Sequence, residues 1–429
     1  MNHAFHQTIL HESSWCEISK SAIHSNVENL RHRVGQSVLL GVVVKSDAYG
    51  HGLIPCAQEF LQAGADWLVV NFAYEAIKLR QAGIAAPIYV CGNVSAPQAP
   101  AVAHPQTRLA IYDWEVAQAL AQAGQAGGFT VPVHILIETG THRQGLTIET
   151  ALELAAAIDQ LAGIQLEGIA THYADIEDTT DHRFAHQQLA HLQAAEQAFR
   201  QAGHDLKVVQ SANSAATILW QQTHGAMVRV GIAAYGLWPS KETYAKVLQT
   251  FADRGEGFIP HLKPVLSWRA RVVQVKPVPA GGYVGYGRTF RAPYPMTIAV
   301  LPIGYHEGYD RRLSNLGHVI INGMRAPICG RICMNMMMVD VTHIPNVTVG
   351  TIATLLGQDG EEQVSAEQLA SWMGTINYEV VARIHPSQPR YLLDDLASET
   401  LFSSDFPPAQ TPVQTPVPSE RSARSMSLF

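Results

Sequence analysis

The stretch LLGVVVKSDAYGHGLIPCAQEFLQAGADWLVV, residues 39–70, contains a complete strand–helix–strand unit. Two short apolar runs rich in valine and leucine, residues 39–44 and 67–70, flank a helical segment that ends near a glycine. Apolar runs of this length are typical of buried strands, and glycine commonly ends a helix. The stretch therefore predicts one right-handed βαβ unit, the building block of a parallel sheet.

The same alternation continues to residue 237 and gives eight candidate strands. They are residues 39–44, 67–70, 88–90, 108–111, 131–137, 164–169, 206–209 and 227–230. Helical segments such as WEVAQALAQAG and ALELAAAIDQLAG lie between them. Eight such units predict a closed (β/α)₈ barrel of the TIM type. A doubly wound open sheet is the alternative, but it would not explain the polar residues that follow these strands.

The pattern predicts two domains and two tails. Residues 1–14 form an N-terminal tail, and residues 15–237 form the barrel, although the strand that begins at Trp15 is expected to pack with the second domain. Residues 238–397 contain short alternating runs separated by turns, which predicts a mainly antiparallel β domain. Residues 398–429 are rich in proline, serine and threonine and predict a disordered tail.

The composition argues against several classes of protein. The chain has 429 residues and a net charge of −7, so no basic field favours nucleic acid. Its five cysteines are odd in number and contain no C-x-x-C pair, which indicates a reducing compartment without a disulfide framework. Neither a signal peptide nor an apolar stretch of membrane-spanning length is evident. We therefore expect a cytoplasmic enzyme with no membrane partner.

Polar residues stand at the ends of five predicted strands. They are Lys45 after the first strand, Arg143 after the fifth, His172 after the sixth, Asn213 and Ser214 after the seventh, and Arg229 at the end of the eighth. Each has an ordinary explanation when taken alone, as a paired, capping or solvent-exposed residue. In a barrel, however, all of these positions face one mouth, which is where such enzymes place their catalytic groups.

Two of these segments indicate a particular chemistry. Lys45 ends an apolar strand, where a lysine reaches solvent, pairs with an anion, or acts as an amine that forms a Schiff base with an aldehyde cofactor. Residues 211–217, SANSAAT, are either an ordinary helix cap or a phosphate seat beside the turn at residues 228–236. The histidines and carboxylates near His182 and His186 have irregular spacing, so no metal site is predicted.

Nine short motifs resemble the alanine racemase family. They are VVVKSDAYGHG, ETGTHRQGL, GIATHYAD, SANSAAT, VRVGIAAYG, GYVGYGRTF, PIGYHEGY, GRICMNMMMVDVT and TINYE. They occur in order and with compatible spacing between about Trp15 and Tyr391, which makes the resemblance highly specific. It implies a pyridoxal-phosphate-dependent isomerase that interconverts L-alanine and D-alanine, and a homodimer whose active site is shared across the interface.

The resemblance also implies roles for individual residues. Lys45 would hold pyridoxal phosphate as a Schiff base and act as one base, and Tyr286 of the partner subunit would act as the second base on the opposite face. Cofactor contacts would come from Lys45, Tyr49, Arg143, His172, Asn213, Ser214, Arg229, Gly231, Ile232 and Tyr378. The substrate would be bound by Arg143, by the backbone N–H of Met334 and by Tyr305, with Tyr305 and Tyr378 narrowing the entrance.

Arg229 distinguishes between the possible reactions. An arginine at the pyridine nitrogen does not readily give up a proton, so the nitrogen stays unprotonated, which favours racemisation. A decarboxylase of the same plan would be expected to place a carboxylate there, and a non-catalytic cofactor-binding protein would not need Tyr286. A racemase of broader specificity, for example for serine, is the closest alternative. The resemblance fits both D-alanine biosynthesis for the cell wall and the breakdown of L-alanine.

Two positions depart from the pattern of the family. Leu136 stands where many members carry a carbamylated lysine that orients the arginine corresponding to Arg143. We therefore expect Glu138 or a bound anion such as chloride to orient Arg143. Asn335 stands next to Met334, where an aspartate is frequent, and we expect only a modest effect on the pocket for the substrate carboxylate.

Overall fold

The computed structural model describes residues 12–254 and 259–394. Eight parallel strands form a closed barrel in which each strand pairs with the next and the last pairs with the first. They are β2 Leu39–Val43, β3 Trp67–Val70, β4 Ile88–Val90, β5 Thr107–Ile111, β6 Val131–Leu136, β7 Ile164–Ala170, β8 Val208–Gln210 and β9 Met227–Val230. Strand β1, Ser14–Ser19, precedes the barrel.

Helices alternate with these strands. The helices up to the end of the barrel are α1 Lys20–Val34, α2 Lys45–Tyr49, α3 Leu53–Gln62, α4 Ala73–Gln81, α5 Ala99–Val102, α6 Trp114–Gly127, α7 Ile148–Ile158, α8 Arg183–Gln201 and α9 Ser214–Leu219. They are followed by α10 Lys241–Arg254, α11 Ala366–Met373 and α12 Asn377–Ala382. No helix in the described ranges combines the length and the hydropathy needed to cross a membrane.

The remaining strands form antiparallel sheets. They are β10 Leu266–Arg271, β11 Gln274–Val278, β12 Tyr283–Val284, β13 Phe290–Arg291, β14 Met296–Leu301, β15 His318–Ile321, β16 Met324–Pro327, β17 Met337–Asp340, β18 Ile352–Asp359, β19 Glu362–Val364 and β20 Arg390–Leu393. The largest sheet has the order β16-β15-β18-β10-β1-β20, with β19 added beside β18. All pairs in it are antiparallel except β1 with β20. The predicted fold class, a barrel followed by a mainly antiparallel β domain, is confirmed.

The chain limits of the two domains stay predictions. The opening strand, which was expected to pack with the β domain, pairs with β10 and β20. Residues 398–429 and most of residues 1–14 lie outside the described residues. Four predicted strands differ from the observed ones by one residue at one end, and a fifth differs more: residues 206–209 were expected, and the strand is Val208–Gln210. A polar glutamine ended the predicted apolar run, but Gln210 is fully buried and continues the strand.

Alternate residues of the barrel strands form two different cores. Val42 packs outward against the surrounding helices, whereas Val43 belongs to a separate buried cluster with Val69, Tyr89 and Met227. Successive side chains of a strand point to opposite faces, so this second cluster fills the inside of the barrel. Val43, Val69 and Tyr89 also line a cavity above the strands, so the inner core forms its floor.

Strand β20 of the β domain contacts the turn that follows β2 in the barrel. Arg390 of β20 donates from Nε and Nη2 to the carbonyl oxygen of Gly50, at 3.1 and 3.0 Å. A Cβ at Gly50 would lie 2.0 Å from the carbonyl oxygen of Val381 in α12, so only glycine permits this approach. The contact places α12, with Tyr378, beside the turn that follows β2.

Candidate active site

A cavity of about 600 Å³ opens at the carboxyl ends of the barrel strands. This is the end at which barrel enzymes place their catalytic groups. The cavity is lined by all ten residues predicted to bind the cofactor: Lys45, Tyr49, Arg143, His172, Asn213, Ser214, Arg229, Gly231, Ile232 and Tyr378. Nine of them lie on barrel strands or the segments after them, and Tyr378 lies on α12. One chain therefore brings this set together.

Lys45 begins an unusual turn just beyond the end of β2. Residues 46–49 all have φ between 53° and 55°, in the left-handed region. This conformation costs a non-glycine residue about 1–2 kcal/mol, so it persists because other groups hold it. Glu75 Oε1 accepts a hydrogen bond from the backbone nitrogen of Ser46 at 2.6 Å. The turn brings both Lys45 and Tyr49 to the cavity.

Hydroxyl and amide groups converge where the loops after β8 and β9 meet. Ser214 Oγ accepts from the backbone nitrogen of Gly231 at 3.0 Å, which leaves its hydroxyl hydrogen free to donate. A Cβ at Gly231 would lie 2.5 Å from Tyr49 Oη, so glycine is required for the tyrosine to reach this place. Burial raises the pKa of Tyr49, so it remains a neutral donor. Donors arranged in this way suit an anion such as a phosphate group.

Arg229 is held rigidly in the floor of the cavity. Its side chain is 8% exposed. Nη1 donates to Gln210 Oε1 at 2.9 Å, and Nη2 donates to the carbonyl oxygens of Thr171 and Ser211 at 2.7 and 3.1 Å. Nε, which always carries a hydrogen, donates to no group in the described part of the chain. The arginine therefore holds the N–H of Nε in a fixed position, where it can donate to a ligand in the cavity.

His172 lies beside this arginine and carries no charge at neutral pH. Burial lowers the pKa of His172 to about 3, and the charges of Arg229, Arg143 and Lys45 contribute to the same shift. Its carbonyl oxygen accepts from Thr141 Oγ1 at 2.8 Å, which ties the loop after β6 to the loop after β7. The neutral imidazole therefore lines the cavity without adding a positive charge to it.

Two family models match the chain. The alanine racemase N-terminal domain matches residues 18–239, and the alanine racemase C-terminal domain matches residues 265–392. Among curated proteins, an alanine racemase of Leptospira interrogans is 38% identical over 384 residues, which cover 89% of this chain and 96% of that protein. The chain belongs to the alanine racemase family.

Members of the family from distant organisms share the fold. The alanine racemase of Methanococcus maripaludis is 37% identical and covers 88% of this chain and 98% of its own length. The crystal structure of the Bacillus anthracis alanine racemase with bound L-Ala-P has a TM-score of 0.81 at 32% identity and covers 89% of this chain and 95% of that one. An alanine racemase from Bartonella henselae with covalently bound pyridoxal phosphate has a TM-score of 0.75 at 26% identity, covering 89% and 100%.

Behind Arg229, a chain of hydrogen bonds crosses the inside of the barrel. Gln210 accepts from Arg229 through Oε1, so its Nε2 must donate, and it does so to His134 Nδ1 at 2.6 Å. His134 Nε2 then donates to Glu167 Oε2 at 3.0 Å, and Arg108 donates to both oxygens of Glu167. Because an arginine only donates and a carboxylate only accepts, the two ends fix the direction of every bond between them.

The protonation of this chain agrees with its direction. Burial lowers the pKa of His134, and its hydrogen bond to Glu167 does not reverse the shift, so the ring is neutral. Burial opposes ionisation of Glu167, but its bonds to His134 and Arg108 hold its pKa at about 2. Sequence reasoning missed these residues. The available signal was a histidine inside the apolar strand VPVHIL and a glutamine at the end of β8.

The loop that carries Arg143 is shaped by Glu138. Glu138 Oε1 accepts from the backbone nitrogen of Gly140 at 2.5 Å. Burial opposes ionisation, but backbone N–H groups of residues 140–142 lower the pKa of Glu138 overall. Within the described ranges, Glu138 makes no hydrogen bond or ion pair with Arg143, so it positions the loop rather than the guanidinium. Leu136 lines the cavity and supplies no charge there.

Tyr286, Tyr305 and Met334 lie elsewhere. Their exposed fractions are 71%, 43% and 56%, and none of the three lines the cavity. Tyr286 stands on a short turn between β12 and β13, and the other two lie on neighbouring loops of the β domain. The structure of one chain does not bring them to Lys45. The backbone N–H of Met334 donates to no group in the part of the chain that the structure describes.

The cavity also contains residues that the sequence analysis did not single out. Asn71 and Cys91 line it from the ends of β3 and β4, and Glu177 lines it from the loop after β7. Glu177 Oε2 accepts from Asn213 Nδ2 at 2.5 Å. Burial and the nearby charge of Asp178 raise the pKa of Glu177 to about 7. A carboxyl group in an irregular loop carries no pattern that would have indicated this contact.

Proposed function

We propose that this protein is a pyridoxal-phosphate-dependent alanine racemase that acts as a homodimer. The observation that carries the proposal is the pairing of Lys45 with Arg229 in one cavity. Their strands β2 and β9 are neighbours in the closed barrel, and both side chains line the same space. An amine suited to covalent catalysis thus shares a cavity with a fixed arginine whose Nε–H can donate to a ligand. The relatives named alanine racemase, at 35–38% identity, support the same activity.

The residues of the cavity fit pyridoxal phosphate. Lys45 would bind its aldehyde carbon covalently, and the free Nε–H of Arg229 would donate to its ring nitrogen. Ser214 and Gly231 stand at the anion-binding corner, where Tyr49 Oη also lies. The remaining predicted contacts, which complete the corner or flank the ring, are His172, Arg143, Asn213, Ile232 and Tyr378.

The bound cofactor supplies one thing, electron withdrawal that makes the α-proton of the attached amino acid acidic. Lys45 Nζ moves that proton on one face of the ring, and Tyr286 of the partner subunit moves it on the other. Arg229 does not readily release a proton, so it would leave the ring nitrogen unprotonated and limit side reactions such as decarboxylation. Neutral His172 adds no positively charged proton donor beside Arg229.

The second copy is needed because the site of one chain is incomplete. Tyr286 is largely exposed and far from being enclosed by its own domain. Phe72 lines the cavity and stacks on Tyr74 at its rim, and both rings are exposed. Exposed apolar and aromatic groups at such a rim are typical of a protein interface. We propose that the β-domain loops of one copy cover the cavity of the other.

The test is a racemisation assay on the purified protein. We expect L-alanine to lose its optical activity and D-alanine to form. Borohydride should abolish the activity, and mass spectrometry of the digested protein should place the reduced pyridoxyl group on Lys45. Absence of racemisation, or a label on another lysine, would contradict the proposal. The same assay with L-serine tests the broader-specificity alternative, and release of carbon dioxide tests the decarboxylase.

A further inference from the structure

Two loops of the β domain are joined side by side. The Tyr305 loop comprises residues 302–308, and the Met334 loop comprises residues 331–336. The backbone nitrogen of Tyr305 donates to the carbonyl oxygen of Cys333 at 3.1 Å, and that of His306 donates to the carbonyl oxygen of Met334 at 2.9 Å. A Cβ at Gly304 would lie 2.2 Å from the Cys333 oxygen, so the two backbones are in direct contact. A shift of one loop must therefore move the other.

One buried carboxylate spans both loops. Glu307 is 9% exposed. Its Oε2 accepts from the backbone nitrogen of Gly304 at 2.8 Å, within the Tyr305 loop. Its Oε1 accepts from Asn335 Nδ2 at 2.6 Å, within the Met334 loop. Charge-assisted hydrogen bonds of this kind are stronger than neutral ones, so the carboxylate holds both loops in one arrangement.

We propose that Glu307 and Asn335 are a positioning pair for substrate binding. The inference rests on the proposed function, in which the free backbone N–H of Met334 donates to the substrate carboxylate and Tyr305 narrows the entrance. Asn335 directly follows Met334, so its bond to Glu307 fixes the direction of that N–H. Neither Glu307 nor Asn335 touches the reacting atoms, and both act through their neighbours in the two loops.

The identity of residue 335 follows from this pairing. An asparagine offers an N–H to Glu307, whereas an aspartate would place a second carboxylate at hydrogen-bond distance. Two carboxylates this close cannot both ionise without repulsion. Asn335 is therefore matched to Glu307, and we expect an aspartate at this position to change the carboxylate pocket more than the sequence alone suggested.

The experiment compares three variants of the full-length enzyme with L-alanine as substrate. Asn335→Asp should raise KM about tenfold while kcat changes by less than about twofold. The reason is that the N–H of Met334 would contact the substrate carboxylate equally in the ground state and in the transition state. The double variant Glu307→Gln with Asn335→Asp should return KM close to its original value. The introduced glutamine can accept from Gly304 through its oxygen and donate to the introduced aspartate through its nitrogen. Asn346→Asp adds the same charge to an exposed turn of the domain and should leave KM unchanged.

The outcomes separate the two proposals. If the unaltered enzyme does not racemise alanine, the proposed function fails. If it does racemise alanine but Asn335→Asp leaves KM unchanged, only the positioning pair is wrong. If Asn335→Asp raises KM and the double variant does not restore it, residue 335 affects substrate binding without acting through Glu307, and the positioning pair is wrong. Binding of pyridoxal phosphate, followed by its absorbance, should be the same in all variants because the cofactor residues lie on the barrel and α12.

Discussion

Functional groups at the mouth of the barrel are buried and hydrogen-bonded within one chain, whereas those on the loops of the β domain are exposed. At the mouth, Arg229 is 8% exposed, and among the described residues every nitrogen of its guanidinium but one has a hydrogen-bond partner. On the β domain, Tyr286 is 71% exposed, and the backbone N–H of Met334 has no partner in the same ranges of the chain. The barrel is therefore organised before ligand binding, whereas the β-domain groups face outward.

This difference indicates a division of labour. Groups that hold a cofactor benefit from rigid, pre-formed geometry, because little conformational entropy is lost when the ligand binds. Groups that complete a site across an interface must stay exposed until the second copy arrives. On this account, variants of the mouth should affect the chemistry of the cofactor, whereas variants of the β-domain loops should weaken catalysis or substrate binding and leave the cofactor bound.

The largest effect should separate the two regions directly. Lys45→Ala should abolish both the covalent attachment of pyridoxal phosphate and racemisation. Tyr286→Phe should reduce kcat by about 10³-fold, as expected for loss of a general base, yet keep the absorbance of the attached cofactor. Both are followed by the absorbance spectrum and the racemisation assay. Loss of cofactor attachment in Tyr286→Phe would contradict the proposed difference between the barrel mouth and the β-domain loops.

Co-expression of these two variants should recover activity. In a mixed dimer, one cavity lacks both Lys45 and its second base, but the other combines an intact Lys45 with an intact tyrosine from the other subunit. With random pairing, about a quarter of all sites should be active. A mixture as inactive as its parents would show that each chain builds its site alone. The control is to express the two variants separately and to assay each alone and directly after mixing, before the dimers dissociate and exchange subunits.

The barrel residues could be predicted because strand order places them. Once eight strands alternate with helices, residues after each strand must face one mouth, and the motifs then assign Lys45, His172 and Arg229 to it. The turn at residues 46–49 could not be predicted, since serine, alanine and tyrosine do not favour positive φ. Contacts with groups distant in sequence, such as Glu75, hold this turn, and the conformational preferences of residues 46–49 do not reveal these contacts.

The hydrogen bonds inside the barrel could not be predicted from the sequence either. Gln210 ends one strand and His134 lies within another, and nothing in either sequence segment indicates that they meet. Their contact depends on the register of non-adjacent strands around a closed barrel. The polar chain they form holds Arg229 in one orientation together with the carbonyl oxygens of Thr171 and Ser211. The next prediction tests the contribution of this chain.

Gln210→Leu should reduce kcat about tenfold with little change in KM. The variant removes the acceptor of Arg229 Nη1 and leaves a buried donor unsatisfied, which costs about 1–3 kcal/mol. The bonds of Nη2 remain, so the arginine is loosened rather than lost, and the absorbance of the bound cofactor should shift. Gln201→Leu, at the exposed end of α8, should change neither quantity. An unaltered kcat in Gln210→Leu would mean that the backbone carbonyls alone orient Arg229.

The smallest effect concerns stability and also lies at the mouth. Burial raises the pKa of Glu177 in the folded protein to about 7, above its ordinary value of 4.5. The folded state therefore binds the proton more tightly than the unfolded state, and stability falls as pH rises from about 4.5 to 7. Glu177→Gln keeps an acceptor for Asn213 and removes this penalty. We expect it to stabilise the protein by about 1–2 kcal/mol at pH 8 and not at pH 4.5, measured by thermal unfolding. Equal melting temperatures of the two proteins at pH 8 would show that Glu177 ionises in the folded state without an energetic cost. Water would then reach this carboxyl group at the barrel mouth.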